Sequence, residues 1–464
     1  MAAADPAGPA QVSQQALYHA VADAGSLRYF GAEIEAGNPS DWPGYDAQLR
    51  RARDTTGARH AVTTGLATIG GEPCVMIGFE FGFFGGSTGV AEGARIVRAF
   101  TVAAAERLPV VSVAASGGSR MQEGTSALVQ MQAIAAAVAG ARRDGIAHIA
   151  VAGDPTTGGV WSSLVASADV LIGVPGARVS FSGSRTRPAG SDPLSPDYFA
   201  ESKWARGFVD ALSSRYRLRT DIAAIVRLLS PRSRGDSPDR VPVPAWPTGA
   251  DGGGDPGEDA WAVVSRARGP HRARADRWLA GYFDQAFDIH GDRSGGVDAG
   301  LRCGFGRHDG TTIAYIAQTG QPTTAAGFRT ATRLLALAAR LGRGVLTLID
   351  TPGAAAAAAD EAAGVGPAIA ELLIAIGSSE IPITSVVIGE GVSGGALALA
   401  SPTDLWMARG GYLAVTVPEL AASILKRPAD AVPQVAAWLR LTPAELLSRG
   451  IIRGIVQPPA VSAG

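Results

Sequence analysis

The chain has 464 residues, with 41 basic and 42 acidic side chains and a formal net charge of -1. Its length allows two or three domains, and its balanced charge gives no argument for a nucleic-acid partner or an anionic membrane surface. The only cysteines, Cys74 and Cys303, exclude a disulfide framework and a CxxC zinc motif. With no signal-like N-terminus and no run of ~18 apolar residues, we expect a cytoplasmic protein that does not enter a membrane.

Lysine usage excludes one class of enzyme. Almost all of the basic residues are arginine, and the exceptions are Lys203 and Lys426. Neither lysine follows a glycine, as the phosphate-binding loop of Walker-type ATPases requires. The sequence therefore excludes an ATPase of that type.

Composition along the chain predicts the domain limits. We predict an N-terminal extension at 1–40, a first domain at 41–229, a Pro- and Gly-rich linker at 230–259 that buries little, and a second domain at 260–464. Both domains alternate buried strands with alanine-rich helices, which indicates an α/β fold. The predicted strands lie at 110–114, 148–151, 345–349 and 383–388, and the predicted helices at 126–142, 326–341 and 367–376.

The two domains look like copies of each other. In the first, Gly117 and Gly159 each follow a strand and lie 42 positions apart; in the second, Gly353 and Gly395 have the same separation. Other matching residues recur at an offset of 235 or 236 positions. This run of coincidences predicts a duplicated β/α domain.

Glycines at the ends of the strands suggest a binding function. A glycine there lets a ligand approach the main chain, and the N–H groups of the next turn can point at it. We predict oxyanion holes at Gly117-Gly118 and at Gly394-Gly395-Ala396. Paired glycines also occur in ordinary tight turns, but their presence at matching places in both domains favours binding.

A third glycine-rich segment, residues 81–89, precedes another predicted helix. It could form a backbone nest for a carbonyl or a phosphate group, with Gly85, Gly86 and Ser87 in contact with the ligand. Arg120 lies nearby in the sequence and could meet a phosphate, although a lone arginine on a helix is more often solvated.

Other catalytic arrangements have little support. Residues 116–120 lack the Gly-x-Ser-x-Gly pattern of a hydrolase, and the histidines lack the spacing of metal ligands. His148 is interpreted as a core residue and His290 as a structural cap. Two oxyanion holes with few side-chain acids or bases are typical of enzymes that handle two enolate-like species, including transfer or loss of carboxyl groups beside a thioester.

Several long motifs carry a family resemblance. The first domain resembles the β subunit of bacterial acetyl-CoA carboxylase carboxyltransferase in segments 84–87, 108–111, 115–124 and 154–160. The second domain resembles the α subunit in segments 289–293, 349–354, 387–398 and 422–425. The chain is identified as a fused β-α member of this carboxyltransferase family.

The resemblance implies two tandem crotonase-like (ClpP/crotonase) β/α domains. It also implies carboxyl transfer from carboxybiotin to acetyl-CoA, giving malonyl-CoA for fatty acid biosynthesis. Biotin is then the cofactor, carried by a separate biotin carboxyl carrier protein, and a biotin carboxylase is the further partner. The family's active site implies a homodimer or a larger assembly, in which the first domain of one copy faces the second domain of another.

The resemblance also implies roles for individual residues; the expectation of no metal site comes from the cysteine and histidine spacing of this chain. The main chain at Gly117-Gly118 would hold the thioester enolate oxygen, and that at Gly395-Ala396 the ureido oxygen of biotin. The remaining residues expected to bind substrate are Gly85, Gly86, Ser87, Arg120, Gly158, Gly159, Gly353, Ala354 and Gly394.

The chain departs from the family pattern in three places. It lacks the cysteines of the usual zinc ribbon, it has alanines at 354–357 where an aromatic residue and a proline are usual, and it has Leu420 in place of a glycine. These changes leave two alternatives open: a biotin-independent malonyl-thioester decarboxylase, or a non-catalytic subunit that binds acyl-CoA.

Overall fold

The structure is a computed structural model that describes residues 14–183, 187–192, 194–231, 240–251, 254 and 257–459. The chain divides into two compact units. Unit 1 consists of Met1–Ala205 and Val209–Arg232, and unit 2 of Arg206–Phe208 and Ser233–Gly464. The predicted domain limits remain predictions, because parts of the extension and of the linker lie outside the described residues.

Unit 1 is built on one sheet of eight strands. Its helices are α1 (Gln14–Val21), α2 (Tyr45–Thr56), α3 (Val90–Glu106), α4 (Gly124–Leu128), α5 (Gln130–Arg143), α6 (Gly158–Val160), α7 (Ala200–Ala205) and α8 (Leu218–Leu229). Its strands are β1 (Arg28–Tyr29), β2 (Val62–Ile69), β3 (Glu72–Phe79), β4 (Val110–Ser116), β5 (His148–Thr157), β6 (Val170–Gly173), β7 (Val179–Ser180) and β8 (Ala211–Leu212). The strand order is β1-β2-β3-β4-β5-β6-β8, with β7 paired to β5.

The central strands of unit 1 are parallel, and every residue of β4 is buried. A continuous apolar run of this kind is typical of a parallel strand that is covered on both faces. Ile96 and Phe100 of α3 and Ile134 of α5 pack in its core. The helix predicted at 126–142 is two helices, α4 and α5, separated at Val129.

Unit 2 repeats this architecture. Its helices are α9 (Ala260–Arg268), α10 (Ala275–Tyr282), α11 (Ala325–Leu341), α12 (Ala358–Ala362), α13 (Val365–Gly377), α14 (Ser393–Leu397), α15 (Pro418–Ile424), α16 (Val432–Leu439) and α17 (Pro443–Ser448). Its strands are β9 (Gln285–Ile289), β10 (Leu301–His308), β11 (Thr311–Gln318), β12 (Val345–Thr351), β13 (Ile383–Val392), β14 (Leu405–Ala408), β15 (Tyr412–Ala414) and β16 (Gly454–Val456). The strand order is β16-β14-β13-β12-β11-β10-β9, with β15 paired to β13.

The strand pairings inside each unit show which residues of the two units correspond. Ser116 of β4 pairs with Thr156 of β5, and Thr351 of β12 pairs with Gly391 of β13. Both pairs correspond at an offset of 235 residues, so the glycine matched to Gly353 is Gly118. The match of Gly117 to Gly353 in the sequence comparison was therefore wrong by one residue.

Part of the predicted linker packs onto unit 2. Val241 is fully buried, and its carbonyl accepts a hydrogen bond from Thr384 Oγ1 at 2.7 Å. Arg240 binds Asp404 through Nε at 2.7 Å. The expectation that the linker buries little is wrong for residues 240–251. Its prolines restrict the unfolded chain and so lower the entropic cost of docking the apolar side chains between them.

Within the described residues, no single helix is long and apolar enough to cross a membrane. Only Met121–Leu128 and Gln130–Arg143, taken together across a bend of 42°, meet the criteria of length and composition.

Candidate active site

The first glycine turn of unit 1 follows β4. Ser116 Oγ donates a hydrogen bond to Gly86 O at 2.6 Å and accepts one from Gly118 N at 3.1 Å. Gly117 N donates to Gly85 O at 2.9 Å. Both N–H groups predicted to form an oxyanion hole are thus used inside the protein. Gly117 and Gly118 shape the turn, and these hydrogen bonds oppose their predicted donor role, which stays a prediction.

Main-chain N–H groups without an acceptor occur directly after Gly118 and directly after Gly158. In the part of the chain that the structure describes, the N–H groups of Ser119, Gly159 and Val160 have no acceptor. These three residues line one narrow cleft together with Met131 and Ile134 of α5. Converging main-chain N–H groups in a cleft can stabilise an oxygen that becomes negatively charged. Of the predicted residues, Gly159 belongs to this set.

Close main-chain contact explains several of the unit-1 glycines. Gly118 and Gly158 have positive φ angles of 109° and 61°. A Cβ atom on Gly158 would lie 3.0 Å from the Cα atom of Gly118. A Cβ atom on Gly86 would lie 2.0 Å from Ala115 O, at a φ of 64°. Side chains at these positions would separate the segments that form the cleft.

Thr88 is a candidate site residue that sequence reasoning missed. It lines the same cleft, it is 4% exposed, and its Oγ1 has no hydrogen-bond partner among the described residues. Its main chain is fixed because Thr88 N donates to Gly118 O at 2.8 Å. The duplication gives a signal that could have found it, since Thr323 occupies the matching position of unit 2.

Arg120 has a structural role instead of the predicted one. It is 1% exposed and forms ion pairs with Glu92 at 2.9 Å and Glu123 at 3.3 Å. It also donates to Tyr45 OH at 3.2 Å, to Ser87 O at 2.6 Å and to Ser87 Oγ at 3.2 Å. Burial raises the pKa of Tyr45, which stays protonated and donates to Glu123 at 2.7 Å. With its donors used in this way, Arg120 holds the loop at 84–89 in place and does not face a ligand.

The matching turn of unit 2 has the same construction. Thr351 Oγ1 donates to Gln321 O at 3.0 Å and accepts from Gly353 N at 3.1 Å. The residue matched to Gly117 is Pro352, which has no N–H group at all. In both units, therefore, the N–H groups of this turn are hydrogen-bonded within the protein or, at Pro352, absent.

Three free main-chain donors also occur in unit 2. Among the described residues, Ala354 N, Gly394 N and Gly395 N have no acceptor. A Cβ atom on Gly395 would lie 2.5 Å from Ala354 N, while one on Gly394 would meet nothing within 4 Å. The space beside Gly394 therefore allows an oxygen atom to approach. Ala396, the fourth residue of α14, is fully buried, and Gly395 before it is buried as well; the predicted donor role of Ala396 stays a prediction.

A buried glutamine fixes the first turn of α14. Gln318 Nε2 donates to Gly395 O at 2.9 Å and to Thr323 Oγ1 at 3.1 Å. Its Oε1 atom has no partner in the described structure. In the register of the paired strands β3 and β11, the residue matched to Gln318 in unit 1 is Phe79. The Thr323 hydroxyl is thus occupied, whereas the Thr88 hydroxyl is free.

A buried carboxylate supports the unit-2 site from behind. Asp350 binds Arg272 at 2.5 Å and Arg274 at 3.3 Å, and it accepts a hydrogen bond from Glu390 N at 3.2 Å. Gly320 N donates to Asp350 O at 2.8 Å. These contacts connect the ends of β11, β12 and β13, from which the site loops emerge.

The other polar candidates lie outside both sites. His148 is buried and contacts Ser112 Oγ at 2.8 Å, in agreement with its interpretation as a core residue. Over the described ranges, no group of three or more His, Cys, Asp or Glu side chains is arranged to hold a metal ion.

Comparisons with known proteins cover both units. A family described as "Carboxyl transferase domain" matches residues 32–187, and one described as "Acetyl co-enzyme A carboxylase carboxyltransferase-like" matches residues 258–464. Acetyl-coenzyme A carboxylase carboxyl transferase subunits beta/alpha of Salinispora tropica is 38% identical over 90% of this chain and 77% of that protein.

Two solved structures show a similar fold. A transcarboxylase 12S structure with hydrolysed methylmalonyl-CoA aligns with a TM-score of 0.77 at 18% identity, over 96% of this chain and 87% of the other. A single-chain, multi-domain long-chain acyl-CoA carboxylase aligns with a TM-score of 0.75 at 19% identity, over 96% of this chain and 46% of the other.

Proposed function

Because the chain belongs to the carboxyltransferase family of biotin-dependent acyl-CoA carboxylases, we propose that it carboxylates acetyl-CoA to malonyl-CoA. The predicted resemblance to fused β and α subunits is confirmed by relatives that carry this name. The predicted α/β fold with two tandem crotonase-like domains is confirmed as well. The choice of acetyl-CoA, and the residue roles below, are the proposal.

The observation that carries the proposal is the pair of free-donor sets, one in each unit. In unit 1, Ser119 N, Gly159 N and Val160 N would hold the thioester oxygen of the acyl-CoA, and Thr88 Oγ1 would add a fourth donor. Hydrogen bonds to this oxygen stabilise the enolate that forms when the α-carbon loses a proton. These donors are held by main-chain contacts, so they need no rearrangement during the reaction.

In unit 2, Ala354 N, Gly394 N and Gly395 N would hold the ureido oxygen of biotin. The open space at Gly394 fits a ring carbonyl that approaches the main chain. Biotin, bound as carboxybiotin on a carrier protein, would supply the carboxyl group. Gln318 keeps Gly395 in position through its carbonyl group, so the donors of this turn keep their direction.

The unit-1 cleft itself supplies no base. Among the described residues that line it, none is Asp, Glu, His or Lys. Its part in the reaction is thus to bind and polarise the thioester, not to remove the proton. This division of labour agrees with an enzyme that relies on two oxyanion sites and few titratable side chains.

We propose a homodimer or a larger assembly as the active form. Large apolar side chains are exposed in both units: Met121 is 77% and Phe181 67% exposed, and Val415 is 74% and Ile424 73% exposed. Phe and Met are among the residue types that are enriched in protein interfaces. A mixture of two inactive variants, Gly86→Ala and Gly395→Ala, tests this: regained activity supports sites completed by two copies, and continued inactivity after subunit exchange opposes it.

A comparison of acyl-CoA substrates tests the reaction itself. The full chain is incubated with the carboxylated carrier and with acetyl-, propionyl- or octanoyl-CoA, and the carboxylated products are quantified. The proposal expects the highest kcat/KM with acetyl-CoA and no product with carrier that lacks carboxybiotin. A preference for propionyl- or octanoyl-CoA would contradict the acetyl assignment and leave the family assignment intact.

The same assay separates the alternatives. Loss of CO₂ from malonyl-CoA without any biotin carrier would support a decarboxylase, and acyl-CoA binding without turnover would support a non-catalytic subunit. We further propose that the enzyme acts in the cytoplasm, with a biotin carboxyl carrier protein and a biotin carboxylase, and that its malonyl-CoA enters fatty acid biosynthesis.

A further inference from the structure

Unit 1 contains a second cavity that the proposed reaction does not use. It has a volume of about 310 Å³ and lies among α1, the β1-β2-β3 edge of the sheet and α3. None of its lining residues lines the glycine cleft. A cavity of this size is large enough for a small organic molecule.

A buried arginine with no carboxylate in direct contact lines this cavity. Arg95 is 6% exposed, and within the described residues it forms no ion pair within 4 Å; Glu92, Glu35 and Glu33 act on it only from a longer distance. It donates one hydrogen bond, from Nη2 to Ile34 O at 3.0 Å, and its Nε has no partner. Burial of a charge is costly unless the charge is paired and hydrogen-bonded. The guanidinium therefore has room for a direct anionic partner on the cavity side.

Two further buried polar groups of the same cavity have unsatisfied atoms. His60 is 5% exposed, and neither of its ring nitrogens has a partner in the described structure. Burial and the neighbouring Arg95 lower the pKa of His60 to about 4, so the ring is neutral at pH 7 and can donate one hydrogen bond. Tyr18 is 3% exposed, and its hydroxyl is also unpartnered.

The rest of the lining indicates the kind of anion. Phe30, Val62 and Phe79 provide apolar walls. Glu80, which is 8% exposed, also lines the cavity and would repel a doubly charged ligand about twice as strongly as a singly charged one. We propose that this cavity binds a small organic monocarboxylate, with its carboxylate at Arg95 and its apolar part along these walls.

Isothermal titration of the full chain at pH 7 tests the proposal. The probes are sodium benzoate and sodium hexanoate, with benzamide and inorganic phosphate as uncharged and multiply charged comparisons. We expect one carboxylate per chain, binding at least tenfold tighter than benzamide or phosphate. Excess acetyl-CoA should not displace it, because the cavity is separate from the glycine cleft.

Matched variants locate the binding. Arg95→Met should weaken benzoate binding at least tenfold. Arg98→Met, on the same helix, removes a half-exposed arginine that lies 3.9 Å from Glu33 and should leave binding unchanged. Ala32→Trp changes an exposed lining residue and should obstruct the cavity without disturbing the core.

Several results would overturn the proposal: no binding of either carboxylate, tighter binding of phosphate, displacement by acetyl-CoA, or unchanged binding in Arg95→Met. If Arg95→Met does not fold, Ala32→Trp decides the question, and unchanged benzoate binding by that variant would refute the site. Carboxyl transfer is measured separately, so failure of the proposed reaction would not be mistaken for failure of this site.

Discussion

Units 1 and 2 build the same main-chain turn with different side-chain supports. In both, a strand-end hydroxyl, Ser116 or Thr351, accepts a hydrogen bond from a glycine two residues later at 3.1 Å. In unit 1 the adjoining loop is held by Arg120 and its buried carboxylate partners. In unit 2 the amide of Gln318 and the carboxylate of Asp350 have the supporting role.

This difference shows which features the site requires. The free N–H groups recur in both units at matching positions, whereas the residues behind them do not. A main-chain N–H group is present whatever the side chain of its residue. Different neighbouring residues can therefore hold the donors in position in the two units. We therefore expect substitutions of the supporting residues to affect the two units differently.

The largest expected difference concerns the buried charges. Arg120→Met leaves Glu92 and Glu123 buried without their cation, and it should reduce the free energy of unfolding of unit 1 by about 3–5 kcal/mol. Arg272→Met leaves Asp350 paired with Arg274, so its loss should be about half as large. Urea denaturation of both variants measures this, and equal losses would contradict the comparison.

A smaller effect is expected at the glycine loop of unit 1. Gly86→Ala places a Cβ atom 2.0 Å from Ala115 O and should reduce carboxyl transfer at least ~100-fold, or ~2.7 kcal/mol. Gly57→Ala is the matched control, because Gly57 has a similar φ of 68° and nothing within 4 Å. The control should lose only ~1 kcal/mol of stability and keep its activity. A Gly86→Ala variant with normal kinetics would show that the loop does not shape the cleft.

Acid sensitivity should also differ between the units. Native His60 has a pKa of about 4, whereas the unfolded value is 6.5. Above pH 6.5 both states are neutral, so His60 has no effect. As the pH falls from 6.5 to 4, the unfolded state gains the proton before the native state does, and stability should fall by about 2.6 kcal/mol.

Denaturation curves between pH 4 and 7 measure this effect. His60→Phe should reduce the decrease by about this amount, leaving the part that belongs to carboxyl groups with lowered pKa values such as Glu419 and Glu445. His271→Gln, at an exposed position of unit 2, should retain the full decrease. An unchanged pH dependence in His60→Phe would mean that another group is responsible.

The smallest expected effect concerns Thr88 of unit 1 and its counterpart in unit 2, Thr323. Thr88→Val removes an unpartnered hydroxyl, so it should reduce kcat/KM for acetyl-CoA about tenfold, or ~1.4 kcal/mol, without loss of stability. Thr323→Val removes the acceptor of Gln318 Nε2 and should cost ~1 kcal/mol of stability. Thermal melts and steady-state kinetics distinguish the two, and normal kinetics for Thr88→Val would exclude its contact with substrate.

Much of the fold could be predicted because it depends on local pattern. The helix predicted at 326–341 is α11 (Ala325–Leu341), and the one at 367–376 lies within α13 (Val365–Gly377). The strands at 345–349 and 383–388 lie within β12 and β13. Apolar runs bounded by glycine fix such elements without knowledge of distant residues.

The site could be predicted only in part, because hydrogen bonding depends on residues far apart in sequence. Glycine spacing identified both strand ends, but it could not show that Gly85 O occupies the N–H of Gly117. The burial of Arg120 likewise depends on Tyr45, 75 positions away in the chain. Thr88 and Gln318 appear only when the two units are compared in the register set by the strands.

The most direct test of the account is malonyl-CoA formation from acetyl-CoA and carboxylated carrier by three forms of the chain. Gly395→Ala places a Cβ atom 2.5 Å from Ala354 N, whereas Gly366→Ala adds one with nothing within 4 Å. The account predicts turnover by the unaltered chain and by Gly366→Ala, and a loss of at least ~100-fold in folded Gly395→Ala. Equal activity in all three forms, or none in the unaltered chain, would contradict it.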